Sequence, residues 1–142
     1  MVEIEHGGGS LWPSAWPVKE IDPGRLADLV GDVIAPENFA VILVTAPDID
    51  LARRMAKAAL EAKLVACANI VPAVESHYWW DGKLESSDEA IIVFKTRQEH
   101  VPKLEQFNRD LHPYDTPEFV ALPLTAGSRK YLAWLADSTK ER

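Results

Sequence analysis

Phe39-Ala40-Val41-Ile42-Leu43-Val44-Thr45 is the stretch on which the reading of the fold turns. It carries no charge, is rich in β-branched side chains and is followed by Pro47. A continuous apolar run of this length predicts a central strand buried on both faces. Asp48 is a natural N-cap for what comes next. From there Ala52, Met55, Ala56, Ala59 and Leu60 recur at helical spacing, with Arg53, Arg54, Lys57 and Glu61 on the opposite side. That pattern predicts an amphipathic helix packed on the strand.

Working outward, residues 65–78 read as a long extended stretch with a bend or bulge at Pro72 and Ala73, since proline cannot donate to a ladder. Asp81-Gly82 is a hairpin turn signal. The chain returns as a strand over residues 89–96, with Ile91, Ile92, Val93 and Phe94 apolar. Val101-Pro102 opens a second helix carrying Leu104, Phe107 and Leu111, and Pro113 ends it. Residues 119–124 form a fourth strand. Ser128 caps a last helix with Tyr131, Leu132, Trp134 and Leu135 inward. The order β-α-β-β-α-β plus a C-terminal helix predicts an α+β, ferredoxin-like sandwich with a long hairpin between its second and third strands. Helices on one face of such a sheet leave the other apolar, which calls for an oligomer.

Toward the N-terminus the character changes. Residues 1–37 read as an extension of the domain at 38–142. His6-Gly7-Gly8-Gly9-Ser10 is a flexible stretch of the kind an expression vector adds. Prolines interrupt Leu11-Trp12-Pro13-Ser14-Ala15-Trp16-Pro17, and the tryptophans there are expected in a surface groove. A capping Asp22, Pro23 and the spacing of Leu26, Leu29, Val30 and Val33 predict a short helix over residues 22–34.

Composition bounds the function. The chain has 142 residues, 47% hydrophobic and 26% charged, with a net charge of -7 and a pI near 5.0. This suits one domain with a real core. No Lys/Arg cluster supports nucleic-acid binding, and an acidic surface is not drawn to anionic membranes. Cys67 is the single cysteine, so no internal disulfide can form. No apolar run approaches the roughly 20 residues of a membrane span, and no secretory leader is recognisable. The expected compartment is cytoplasmic. No nucleophile elbow, phosphate-binding loop, dinucleotide fingerprint or zinc-protease motif occurs, so no catalytic residue is assigned and the chain reads as a binding protein rather than an enzyme.

Six separated blocks carry a resemblance: Val44-Thr45-Ala46-Pro47-Asp48, Leu64-Val65-Ala66-Cys67-Ala68-Asn69-Ile70, Tyr78-Trp79-Trp80-Asp81-Gly82-Lys83-Leu84-Glu85, Phe94-Lys95-Thr96, His112-Pro113-Tyr114-Asp115-Thr116-Pro117-Glu118 and Tyr131-Leu132-Ala133-Trp134-Leu135. In their order and spacing, over residues 39–138, the chain resembles the CutA divalent-cation-tolerance family. The resemblance implies a ferredoxin-like protomer in a tight homotrimer, similar to the nitrogen-regulatory signalling trimers. The long hairpin of one subunit would extend the sheet of the next. It implies a role in tolerance of divalent metal ions, copper above all, with the protein itself and the metal ion as its partners.

By the same resemblance His112 stands where the family's histidine-proline-tyrosine motif supplies a proposed copper ligand, and imidazole suits copper or another divalent cation. Two further family positions depart: Leu111 replaces a second histidine and Val44 replaces a cysteine. The alternative for His112 is to cap the second helix and orient the Pro113-Tyr114 turn. Lys95, Glu118, Tyr78, Trp80 and Tyr114 are expected to line an inter-subunit cleft for an anionic or polar ligand, or to form a structural network there. A small-molecule sensor using that cleft, with metal incidental, is the alternative function. Alternation on a strand places one of Trp79 and Trp80 in the core and one at an interface. Cys67 reads as a small buried hydrophobe. His77 and His100 read as isolated surface or strand residues, and Glu85, Asp88 and Glu89 as a solvated hairpin edge.

Overall fold

The computed structural model describes residues 33–34 and 38–140, all within a unit running Val33–Arg142. The expected features before residue 33 lie outside the described residues. In chain order the elements are β1 (Val33–Ile34), β2 (Phe39–Ala46), α1 (Ile49–Glu61), β3 (Cys67–Trp80), β4 (Lys83–Arg97), α2 (Val101–Leu111), β5 (Val120–Pro123), β6 (Gly127–Ser128) and α3 (Arg129–Ser138). A short 3-10 turn, Gln98–His100, leads into α2. The result is α+β: an antiparallel four-stranded sheet in the order β3-β4-β2-β5, with helices packed against it. Val33 and Ile34 do not continue the helix expected over residues 22–34. They pair as a strand with Ser128 and Gly127.

β2 is central, flanked by β4 and β5. It is not buried on both faces as its composition suggests. Ala40, Ile42, Val44 and Ala46 are buried, whereas Val41, Leu43 and Thr45 are only half-covered. The reason is layering. The buried set meets Ala90, Ile92 and Phe94 of β4, Leu51, Ala52, Met55 and Ala59 of α1, and Leu104 of α2 in one core. Thr96 is buried in the same strand row, where its hydroxyl donates to the Leu64 carbonyl.

Caps set the helix starts. Asp48 Oδ1 accepts from Leu51 N at 2.7 Å, and Ser128 Oγ accepts from Tyr131 N at 3.4 Å. Each fills an amide orphaned at a helix start. The helical stripes differ from expectation at their margins: Leu60, Leu111 and Trp134 face solvent, and Tyr131 is half-covered, while Leu51, Leu132 and Leu135 are inside. At 100° per residue these positions sit on the flank of each stripe.

The β3–β4 hairpin is long. Between Val71↔Ile91 and Val74↔Glu89 the register slips, so Pro72 and Ala73 form the expected bulge. Asp81 (φ 49°) and Gly82 (φ 73°) make the turn with both central residues left-handed, the geometry that suits a two-residue hairpin. β2 pairs β4 only as far as Ala46↔Ala90, so beyond that point the hairpin is a two-stranded arm. Trp79 and Trp80 lie on it 73% and 55% exposed. Neither enters the core, because no third layer reaches them.

Candidate functional site

Prolines decide the segment after α2. His112 caps that helix, its N–H bonding the Asn108 carbonyl at 2.9 Å, and its own backbone turns extended. With Pro113 and Pro117 short of a donor each, residues 112–118 form no regular ladder. Side chains hold the segment instead. The His112 ring is 7% exposed, with Nε2 2.7 Å from the Thr45 carbonyl at the end of β2. A carbonyl only accepts, so Nε2 carries the proton. Nδ1 then accepts from Tyr114 N at 3.1 Å. The Tyr114 ring sits 4.6 Å from the imidazole, and its hydroxyl donates to Glu89 Oε2 at 3.4 Å. The contacts run from β2 through His112 and Tyr114 to β4.

This chain of contacts roofs a cleft of about 660 Å³ against the hairpin arm. Tyr78, Trp80, Ser76, His77, Ser87 and Glu89 come from the arm, Thr45 from β2, and Tyr114, Asp115, Thr116, Pro117 and Glu118 from the segment. The Tyr78 hydroxyl donates to Ser87 Oγ across the strands at 3.2 Å. Burial pushes the Tyr114 phenol above the usual tyrosine value, and the Glu89 carboxylate beside it pushes the same way. Among the described residues the acidic lining is Glu89, Asp115 and Glu118, and no lysine or arginine lines the cleft.

Of the residues expected to line an inter-subunit cleft, Tyr78, Trp80, Tyr114 and Glu118 lie on this cleft of a single chain. Lys95 lies elsewhere on the same chain. It stands six residues beyond Glu89 on β4, about 20 Å away at the usual strand rise. There its ammonium donates to Asn69 Oδ1 at 2.8 Å and lies 5.9 Å from the Tyr131 ring centroid. Within one chain Lys95 therefore brings no cation to this cleft. His112 lines the base of the segment with both ring nitrogens engaged, so a metal there would have to displace a hydrogen bond. Among the described residues no group of three or more His, Cys, Asp or Glu is placed to hold a metal ion.

Other expectations need correction. Glu89 is buried, not a solvated edge residue, because Tyr114 closes over it. His100 is 6% exposed rather than on the surface, since the turn before α2 folds it inward. Cys67 is half-covered, its thiol 3.3 Å from Asn69 Oδ1. His77 is exposed, 3.5 Å from Glu75, and lines the cleft. Sequence reasoning missed Thr45 and Glu89. Thr45 contributes through its backbone carbonyl, which no side-chain pattern reveals. Glu89 betrays itself only as a carboxylate next to the buried Ala90.

The family model for the CutA1 divalent ion tolerance protein matches residues 40–138. A rice protein, "Protein CutA 1, chloroplastic" from Oryza sativa, is 43% identical over 101 residues, which cover 71% of this chain and 57% of the rice protein. The match thus spans little more than half the length of that plant relative. A divalent-cation tolerance protein CutA from Thermus thermophilus is 44% identical over 99 residues, covering 70% of this chain and 96% of that one. The solved structure of CutA from Synechococcus elongatus superimposes with a TM-score of 0.73 at 32% identity, covering 78% of this chain and 98% of that chain.

Proposed function

The chain belongs to the CutA1 divalent ion tolerance protein family, and from that premise we propose that it acts as a homotrimer that binds a divalent cation, copper being the first to test, at the cleft under residues 112–118. One observation carries the reading: Glu89, Asp115 and Glu118 line that cleft together with His77, and among the described residues no lysine or arginine lines it. Carboxylates set in a concave, partly apolar wall raise the local concentration of cations. The donor set fits a hard divalent ion through its carboxylates and copper or zinc through its imidazole. A single chain presents these donors dispersed, so the cation is held tightly only where subunits pool them.

The trimer reading is supported by the surface. The strand order β3-β4-β2-β5 supports reading the sheet as ferredoxin-like. Its half-covered row of Val41, Leu43, Ile91 and Val93 is apolar, and the hairpin arm adds exposed Trp79, Trp80 and Leu84. Exposed apolar surface of this kind marks an interaction face, and β5 carries exposed Val120 and Leu122 on an edge strand.

The second reading is a small-molecule sensor in the same cleft, favoured by its volume and by the aromatic walls Tyr78, Trp80 and Tyr114. The carboxylates Glu89, Asp115 and Glu118, with no Lys or Arg lining the cleft among the described residues, direct that reading to a cationic or neutral molecule. Light scattering on the full chain, with calorimetric titration of Cu(II) in a His6→Ala background, tests the proposal. A trimeric mass and a fixed number of ions per protomer are expected. A monomeric mass, or uptake without a defined stoichiometry, contradicts it.

A further inference from the structure

The carboxylates of the cleft are not neutralised from within the chain. Among the described residues no ion pair engages Glu89, Asp115 or Glu118. Glu89 stands out. It is 9% exposed, and its bond among the described residues is the one that Tyr114 donates to Oε2 at 3.4 Å, long for a charged acceptor. A carboxylate taken that far out of water costs free energy until a cation or strong donors meet it. Glu89 lines the cleft, so a partner that enters there can reach it.

Three aromatic side chains wall the same space. Tyr78, Trp80 and Tyr114 line it and keep exposed surface, with the two phenol hydroxyls committed to Ser87 and Glu89. What they leave for an occupant is ring surface, which packs against carbon and attracts cations through its quadrupole. At about 660 Å³ the cleft accommodates a molecule of several carbon atoms rather than a bare ion. Among the described residues no three His, Cys, Asp or Glu converge as metal ligands must. Carboxylates spread around ring surface suit a cation that is itself extended.

Resting on the small-molecule reading of the cleft, we propose that its ligand is a protonated aliphatic amine, with the ammonium group on Glu89 and the carbon chain along Tyr78, Trp80 and Tyr114. An ammonium brings three donors to a carboxylate that has one long bond. Its methylenes cover ring surface that is otherwise wet. A second ammonium on the same molecule has Asp115 and Glu118 in the cleft to meet it. None of this needs metal uptake.

The test is calorimetry of the full chain with 1,4-diaminobutane and, separately, its neutral counterpart 1,4-butanediol, at neutral pH, where an aliphatic amine is protonated as lysine is. Saturable binding of the diamine is expected, with the diol about tenfold weaker or more. Glu89→Gln keeps the shape, removes the charge, and should weaken the diamine about tenfold or more. Asp88→Asn makes the same change of net charge one residue away, on the exposed side of the strand, and should leave the affinity unchanged. Trp80→Leu should weaken the diamine about threefold, the share that a ring face gives a cation. Absence of diamine binding overturns the proposal. A diol as tight as the diamine overturns it too, while the small-molecule reading stands; that reading falls only if neither compound binds. Diamine binding that Asp88→Asn weakens as much as Glu89→Gln is a diffuse charge effect and also overturns the proposal.

Discussion

His112→Ala is the substitution whose consequence the structure fixes most closely. The ring donates to the Thr45 carbonyl at 2.7 Å, accepts from Tyr114 N at 3.1 Å, and packs on the Tyr114 ring at 4.6 Å, all at 7% exposure. Removing the imidazole orphans one acceptor and one donor. Each partly buried orphan costs about 1 kcal/mol or somewhat more, with water able to reach part of the way. The lost ring contact adds roughly 0.5–1.5 kcal/mol. The total is about 2–4 kcal/mol, a large fraction of the 5–15 kcal/mol a domain of this kind has to lose. Urea denaturation at one fixed protomer concentration measures it, since oligomers unfold with concentration dependence. His112→Asn keeps an acceptor near the position of Nδ1 and should recover about half of the loss; amide exchange at Tyr114 should follow the same order. A cost below about 1 kcal/mol for His112→Ala, or an Asn variant no better than Ala, would refute the reasoning.

Elsewhere the expectations are simpler. Thr96→Val keeps the shape but leaves the Leu64 carbonyl unpaired in the core, and should cost about 1–3 kcal/mol in denaturation; Thr96→Ser should cost less. Asp48→Ala removes the acceptor for Leu51 N and should cost about 1 kcal/mol, with Asp48→Asn nearly neutral by thermal unfolding. The Tyr114 phenol, raised by burial and then by Glu89, should ionise above the normal tyrosine range in a spectrophotometric titration. Because the folded value lies above the unfolded one, its contribution to stability is complete below pH 10 and is lost as pH rises through the folded value. Glu89→Gln should lower that value only in part, since burial remains. Lys95→Ala should leave ligand binding in the cleft unchanged, as read by calorimetry, because Lys95 stands at the other end of β4 and bonds Asn69.

Local signals carried most of the fold. Asp48, Pro102, Ser128 and Asp81-Gly82 are caps and turns whose chemistry is confined to a few residues, and each acts where its sequence places it. The long hairpin and its bulge were legible for the same reason, since Pro72 forbids a ladder bond wherever the strand goes. What the sequence left hidden depends on layers. Val41 and Leu43 look as buried as Ile42, and only the one-sided placement of the helices separates them. One of Trp79 and Trp80 is expected in the core by strand alternation, yet both are exposed, because composition does not say where the third strand stops. Residues 22–34 carried helical spacing, yet Val33 and Ile34 pair with Ser128 and Gly127, a long-range choice that local propensity cannot make. For the site, the His112–Glu118 motif indicated the segment and four of its cleft residues. Within one chain Lys95 stands apart from those four, because distance along a strand does not show when strand ends are read as one neighbourhood, and Thr45 stayed hidden because its contribution is a backbone carbonyl.

The central claim is that the carboxylates of the cleft hold the cation, while His112 shapes the segment that bears two of them. Calorimetric titration of Cu(II) into the full-length His6→Ala chain, compared with the same chain carrying Asp115→Asn and Glu118→Gln, tests it most directly. The account predicts an affinity at least tenfold weaker in the carboxylate variant with the oligomeric mass unchanged. Equal affinity in the two proteins would contradict it.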